Sequence, residues 1–432
     1  MGILLFLKHE KKEVYGLGFL NPFAALIVSF CLLGLMLYKR MNLGITLNAT
    51  ALLLALLSLD WQNIPTILYE TTADMLTIAI VLATFGIMLL SQLYKETRVI
   101  NNLSESASRI IKNSKIVSSV LPAVIGFLPV AGGALMSAPL VDSQTEKLGL
   151  KPEKKAYVNV WFRHTIFPVY PISQVLIMTA ALTGIALPLI IMRQVPVVVV
   201  MVVVGYLIGF WKVSVRKKEE SQSSKNSSSL DSDLKHFLIA LSPILATIVV
   251  VAGLDTAGLG LARFGFDVFI ATLMGIMVLI MISKPSLHVL AKPLKSWEIY
   301  GITLAAYGAF LLRNVTIAAG ISDIFKTLVI SGSVDIILLL TAVPALLGFL
   351  TASPSGGVAI SVSILAGMVT FSPKTAALLY MSAYLGYLIM PAHLCLAFTV
   401  DYFKCSLSKV YKYIIPSFLI SFVAALLVYF LV

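Results

Sequence analysis

The chain has 432 residues, 59% of them hydrophobic and 12% charged, against roughly 25% charged in ordinary soluble domains. That balance excludes a soluble globular protein, because its core could not be covered with polar groups. The net charge of +12 is read as loop lysines that set topology, not as a nucleic-acid surface.

Apolar runs of about 17–25 residues predict helices, where a barrel would show weak alternating segments of about 10. The chain therefore reads as an all-α integral membrane protein. Cys31, Cys395 and Cys405 are few, and two lie in apolar surroundings, which suggests neither a disulfide framework nor a metal site. Met1–Leu7 carries its charges after a short apolar run, the wrong order for a signal peptide.

In chain order, Leu17–Tyr38, Leu43–Leu59 and Ala73–Tyr94 are expected spans, with Asp60–Thr72 as a loop free of Lys and Arg. Arg98–Lys112 places Val99, Leu103, Ala107, Ile110 and Ile111 on one helical face, the pattern of an amphipathic helix lying on the membrane. A hairpin over 115–148 follows. Its rising arm, Lys115–Leu128, spans about 21 Å of helix, short of a hydrocarbon core of about 30 Å. Its returning arm is Ala134–Leu148. Lys155–Thr183 is a long span interrupted by Pro168 and Pro171, and Ala186–Trp211 closes the first half. Lys212–Lys235, rich in Ser, Lys and Glu, reads as a flexible linker.

The order then repeats. His236–Leu254, Asp267–Ser283 and Trp297–Ala318 are spans. Ile321, Ile324, Phe325, Leu328 and Val329 form a second amphipathic stretch, 335–370 a second hairpin, Lys374–Phe398 a span broken at Pro391, and Tyr413–Val432 the last. Residues 1–211 and 236–432 are thus two repeats, each of five crossings and one hairpin that does not cross.

The hairpins carry the repeat in their letters. Pro122, Ala123, Gly126, Phe127 and Leu128 match Pro344, Ala345, Gly348, Phe349 and Leu350 at a constant offset of 222, and Gly132-Gly133 is met by Gly356-Gly357. Pro391 takes the place of Pro171. An odd number of crossings inverts the second repeat relative to the first. Charge tests this separately. If Lys39 and Arg40 are cytoplasmic, the lysines and arginines fall on that side except Lys8, Lys11, Lys12, Arg193, Arg263, Arg313, Lys326, Lys374 and the intramembrane Arg163. That bias puts both termini outside and the linker 212–235 in the cytoplasm of a multi-pass cell-membrane protein.

A pair of Gly/Pro-interrupted segments at matching places in two halves points to a transporter's binding site. Broken backbone offers helix N-terminal N–H groups to an anion and free carbonyls to a cation. Substrate-binding candidates are Gly132, Gly133, Ser137, Arg163, His164, Gln174, Ser353, Ser355, Gly356, Gly357 and His393. Ion-coupling candidates are Asp142, Asn159, Ser173, Thr351 and Ser361. Arg163 either neutralises a substrate carboxylate or reaches the interface or Asp142. His164 and His393 either carry a coupling proton, since an imidazole titrates near neutrality, or are hydrogen-bonded core groups. Asp142 either couples an ion or pairs with Lys147 or Arg163. No His-Glu-x-x-His, Gly-x-Ser-x-Gly, Walker loop or cysteine cluster is present, so no enzyme is expected.

With Gly126-Phe127-Leu128-Pro129-Val130-Ala131-Gly132-Gly133-Ala134-Leu135-Met136-Ser137-Ala138-Pro139 in view, the chain resembles the ion transporter superfamily of citrate, dicarboxylate, gluconate and arsenite permeases. Within it, the phrase is most similar to the branch called domain of unknown function 401. The resemblance implies a dimerising scaffold domain and a transport domain of hairpins and broken spans that moves as an elevator. It also implies that the tips at Pro129–Gly133 and Ser353–Gly357, with the breaks at Pro168–Pro171 and Pro391–His393, line the substrate and ion sites. The dicarboxylate branch has Ser-Asn-Thr at its tips, whereas these tips read Val130-Ala131-Gly132-Gly133 and Ala352-Ser353-Pro354-Ser355-Gly356. The expected function is secondary active transport of a small organic anion coupled to Na⁺ or H⁺. The expected partners are that solute, the bilayer and a second copy of the chain, with no cofactor other than bound Na⁺. The alternatives are a cation/proton antiporter and a membrane enzyme or lipid-handling protein using the same cavity.

Overall fold

The computed structural model describes residues 19–111, 113–127, 133–213, 230–256, 265–321, 335–366 and 368–431. Gly132 and the tip 129–132, most of the linker, the stretch Ile324–Val329 and the first eighteen residues lie outside the described residues. What is described is helical, with no strand among these residues. Seven of its helical segments are long and apolar enough to cross a membrane.

The first two helices are α1 (Pro22–Tyr38) and α2 (Leu43–Ser58), started by Asn21 and Asn42, whose side chains accept backbone N–H groups of the first turn. At 17 and 16 residues they are shorter than the expected spans, about 25 Å each. The expected loop 60–72 instead holds a helix, α3 (Ile64–Ala73), with Pro65 in its first turn. A stretch without Lys or Arg shows its sidedness but says nothing against a helix, and Pro is at home in a first turn.

Next come α4 (Met75–Glu96) and α5 (Val99–Ile110). The amphipathic pattern of α5 is real, with Val99, Leu103 and Ala107 buried. However, its apolar face packs on α6 (Ser114–Gly126) and α11 (Leu230–Thr256), so protein covers much of the face expected to meet lipid. Because α11 begins at Leu230, the end of the expected linker is helical.

The first hairpin is α6 and α7 (Ala134–Lys147). The first broken span is α8 (Pro152–Thr165), a 3-10 turn at Phe167–Val169, and α9 (Gln174–Thr183). Pro168 and Pro171 withhold N–H groups from the ladder, which is why the helix stops and restarts there. After α10 (Leu187–Phe210), the second half supplies α11, α12 (Phe266–Ser283), the short α13 (Leu287–Ala291) and α14 (Trp297–Ala318). Its hairpin is α15 (Ile336–Thr351) and α16 (Pro354–Leu365), and its broken span is α17 (Pro373–Leu388) and α18 (Leu394–Tyr402). The last helix is α19 (Leu407–Leu431). Ala352 ends α15 in the left-handed region, φ 48°, and Ser353 caps α16.

Packing is reciprocal between the halves. Helix α2 lies on α14 as α12 lies on α4. The returning arm α7 meets α18 as α16 meets α9, and α8 meets α19 as α17 meets α10. Across the α2–α14 contact, Asn48 donates to the carbonyls of Gly44 and, in the other half, Leu304, at 2.8 and 3.0 Å. A half-buried amide thereby ties the halves together. Helices α10, α11 and α19 carry exposed Val199, Val203, Val249, Leu419 and Val423, the outer surface expected of helices facing lipid. By contrast, α16 and α17 are buried almost all round. At the breaks, Pro168, Tyr170 and His393 are buried, whereas Pro391 and Ala392 are exposed.

Candidate functional site

The two hairpins pack on their broken spans by the same contact. A Cβ on Gly126 would stand 2.6 Å from the Arg163 carbonyl oxygen, and one on Gly133 would run into the Arg163 guanidinium, 2.7 Å from Cζ. In the second half, a Cβ on Gly348 would strike the Ala383 backbone, 2.9 Å from its carbonyl carbon, and one on Gly357 would stand 3.0 Å from Ala383 Cβ. Gly126 and Gly348 are 222 positions apart, and Arg163 and Ala383 are 220 apart, as are Pro171 and Pro391. One architectural position thus holds arginine in the first half and alanine in the second.

Arg163 is 1% exposed, so it does not snorkel to the interface. Nor does it hold Asp142 in the way expected, because Asp142 Oδ1 is 2.6 Å from Lys155 Nζ at the opposite end of α8. Asp142, half-exposed on α7, stands apart from the buried site.

Around Arg163 the breaks converge. His164 is the next residue, and its Nδ1 lies 2.6 Å from the Val160 carbonyl. A carbonyl only accepts, so Nδ1 carries the proton and Nε2 presents a lone pair in the neutral ring. The His164, His393 and Cys395 side chains each offer a ligand atom within 4.8 Å of the others. His393 stands beside His164, ring centroids 4.7 Å apart and edge to face, with its Nε2 2.6 Å from the Tyr387 hydroxyl. Tyr384 donates its hydroxyl to the His164 carbonyl at 2.6 Å, which satisfies an acceptor left open where α8 ends. The Arg163 charge acts on Tyr384, Tyr387, His393 and Cys395 together.

Asn159, one turn before Arg163, is a buried junction. It accepts from Ser137 Oγ at 2.6 Å and donates to the Ala134 carbonyl at 2.8 Å and to Thr399 Oγ1 at 3.2 Å. Hairpin, broken span and α18 are joined through this one side chain. The second tip is held locally. Thr351 Oγ1 donates to the Leu347 and Ser353 carbonyls, and the Ser353 and Ser355 hydroxyls are 2.8 Å apart. Gly356 packs against Thr351. Ser361 Oγ on α16 and Gln174 Nε2 at the start of α9 are buried with no hydrogen-bond partner, on two helices that pack together. Ser173 hydrogen-bonds Tyr380.

The structure therefore brings Gly133, Ser137, Asn159, Arg163, His164 and His393 together. It leaves Asp142 outside and gathers Thr351, Ser353, Ser355 and Gly356 at the second tip. Sequence reasoning missed Cys395, Tyr384 and Tyr387. A cysteine in an apolar run reads as core, and only His393-Leu394-Cys395 next to a break could have flagged it. The larger cavities lie elsewhere. Spaces of about 490 and 430 Å³ border α5, α11 and α12 around Arg109, His236 and Lys235, away from the residues described here.

The model of the family described as protein of unknown function (DUF401) matches residues 23–432. The chain belongs to that family. No curated protein matches it. The match spans every residue of the site above and all of the described helices but the first residue of α1.

Proposed function

We propose that the protein is a secondary active transporter that carries a small organic anion, a carboxylate, across the membrane, coupled to a Na⁺ or H⁺ gradient. The observation that carries this reading is the seating of Arg163. Its guanidinium is buried against Gly133, the N-cap of α7, and the next residue, His164, stands 4.7 Å between ring centroids from His393, the N-cap of α18. Helix N-termini bear partial positive charge and open N–H groups. Two such termini beside a buried arginine make a place where a carboxylate is stabilised from three directions.

The reciprocal packing supports an inverted repeat, with the alanine at 383 explaining why only one of the two equivalent places is charged. The resemblance to the ion transporter superfamily supports an elevator movement of the hairpins and breaks against a dimerising scaffold, with both termini outside. Ser361 and Gln174, polar and unsatisfied beside the second hairpin, are suited to the coupling ion. The antiporter alternative loses ground because its one carboxylate near the tips, Asp142, is engaged by Lys155.

Proteoliposomes bearing the purified protein are to be assayed for uptake of labelled mono- and dicarboxylates under imposed Na⁺ or H⁺ gradients. Gradient-driven uptake that Arg163→Ala weakens is expected. Uptake and affinity unchanged in Arg163→Ala would reject the reading.

A further inference from the structure

His164, His393 and Cys395 each turn one ligand atom toward the others, all within 4.8 Å, and all three residues are buried. Neither expectation drawn from sequence, coupling proton or core packing, requires a thiol between two imidazoles.

The outward sides of the rings are the more telling part. A histidine that ligates a metal nearly always commits its second nitrogen to a carbonyl, carboxylate or other polar group, which fixes the tautomer and the ring plane. Both rings are held in this way. His164 Nδ1 is on the Val160 carbonyl, and His393 Nε2 is on the Tyr387 hydroxyl, each at 2.6 Å. The nitrogens left over are His164 Nε2, facing Cys395, and His393 Nδ1. The latter is buried without a hydrogen-bond partner, although the Leu388 backbone lies near the ring.

We propose that His164, His393 and Cys395 form a three-coordinate site for a thiophilic monovalent d¹⁰ cation, Cu(I). Thiolate and imidazole donors select Cu(I) and Zn(II) from the biological metals. Charge decides between the two. Cys395 bound as thiolate neutralises one positive charge, so a monovalent ion is buried with no net charge and a divalent ion with one charge left over. Binding is a plain substitution. The Cys395 S–H bond breaks, an S–Cu bond forms, the proton leaves to buffer and no electrons change hands. With metal–nitrogen bonds of about 2.0 Å and metal–sulfur bonds of about 2.3 Å, the ligand atoms of a trigonal site stand about 3.5–3.7 Å apart, so a pair at the 4.8 Å limit closes by about 1 Å on binding. The site adjoins the proposed anion site at the start of α18 but uses different donor atoms, and its test reads metal binding alone.

The test is anaerobic competition between the purified full chain and a chromophoric Cu(I) chelator, with no transport readout. One Cu(I) per chain is expected. Cys395→Ser should weaken it at least a hundredfold, and Tyr387→Phe, which loosens only the outer hold on His393, about tenfold. Cys31→Ser and Cys405→Ser should leave it unchanged. Cu(I) should raise the thermal unfolding midpoint of the wild type and not that of Cys395→Ser, which separates lost ligation from lost folding. Wild type that takes no more Cu(I) than Cys395→Ser overturns the proposal. So does Zn(II) bound as tightly as Cu(I), or Cu(I) bound at full strength by the His164→Ala/His393→Ala double variant.

Discussion

Gly133 lies directly against the guanidinium of Arg163, while its counterpart Gly357 lies against the methyl group of Ala383. The same backbone approach serves two ends: in the first half it presents a charge to the start of a helix, and in the second it only packs. Substitutions separate these ends. In Gly133→Ala the new Cβ meets the far end of a flexible side chain, which can move aside. Stability should fall by less than about 1.5 kcal/mol, while carboxylate uptake falls sharply because Arg163 is displaced. In Gly348→Ala the Cβ meets the Ala383 backbone, which cannot yield, and a loss of roughly 2–3 kcal/mol is expected. Thermal unfolding and uptake measured on both variants check this. Equal damage to folding in the two would refute it.

Arg163→Ala should raise the KM for the carboxylate roughly thirtyfold, corresponding to about 2 kcal/mol for a hydrogen bond to a charged group. Arg163→Lys should recover part of this, because an ammonium restores the charge but not the planar fork. Concentration-dependent uptake at a fixed gradient measures both. A lysine variant as poor as the alanine would show that geometry alone matters.

Tyr384→Phe removes the donor at 2.6 Å from the His164 carbonyl and leaves that carbonyl buried where α8 ends. The expected cost is about 1–3 kcal/mol, seen as a lower unfolding midpoint in detergent. If the midpoint is unchanged, the carbonyl has found another partner.

Asn159→Leu should be among the most damaging single changes in the site. It strips partners from Ser137, Ala134 and Thr399 together, in surroundings where each unsatisfied polar group costs about 1–3 kcal/mol. Poor yield of folded protein is the anticipated result, without rescue by Asn159→Asp, which keeps the acceptor for Ser137 but not the donor for the Ala134 carbonyl. A well-folded leucine variant would mean that the junction is dispensable.

Asp142→Asn tests the antiporter alternative. The Lys155–Asp142 pair is partly exposed, with the Asp142 side chain 37% accessible, so its loss should cost less than about 1 kcal/mol. Uptake should keep the same ion dependence. A variant that transports anion but no longer responds to the Na⁺ or H⁺ gradient would return Asp142 to the coupling site.

Much of this protein is legible in its letters because the governing causes are local. A Gly-Pro-Ser phrase inside an apolar run must break a helix wherever that helix lies, so 126–134 and 351–357 could be read as interruptions. Pro168, Pro171 and Pro391 marked the broken spans for the same reason, and the repeat was visible as a constant offset. The 59% hydrophobic content left no solvent but lipid. The loop at 60–72 failed because charge sidedness carries no information about backbone geometry, and α3 formed there. The partner of Asp142 also failed, because spacing offered Lys147 and Arg163 while the packing of α7 on α8 presented Lys155.

What only the folded molecule decided is which distant groups meet. Cys395 and His164 are separated by more than a full repeat, and nothing in the composition around either says that a thiol will lie beside an imidazole. Their meeting requires α18 to cross onto α7 and α8, a contact between halves that depends on side-chain shape across the whole centre of the bundle. Local backbone chemistry fixed where the chain would break. Packing of one half on the other fixed what the breaks enclose.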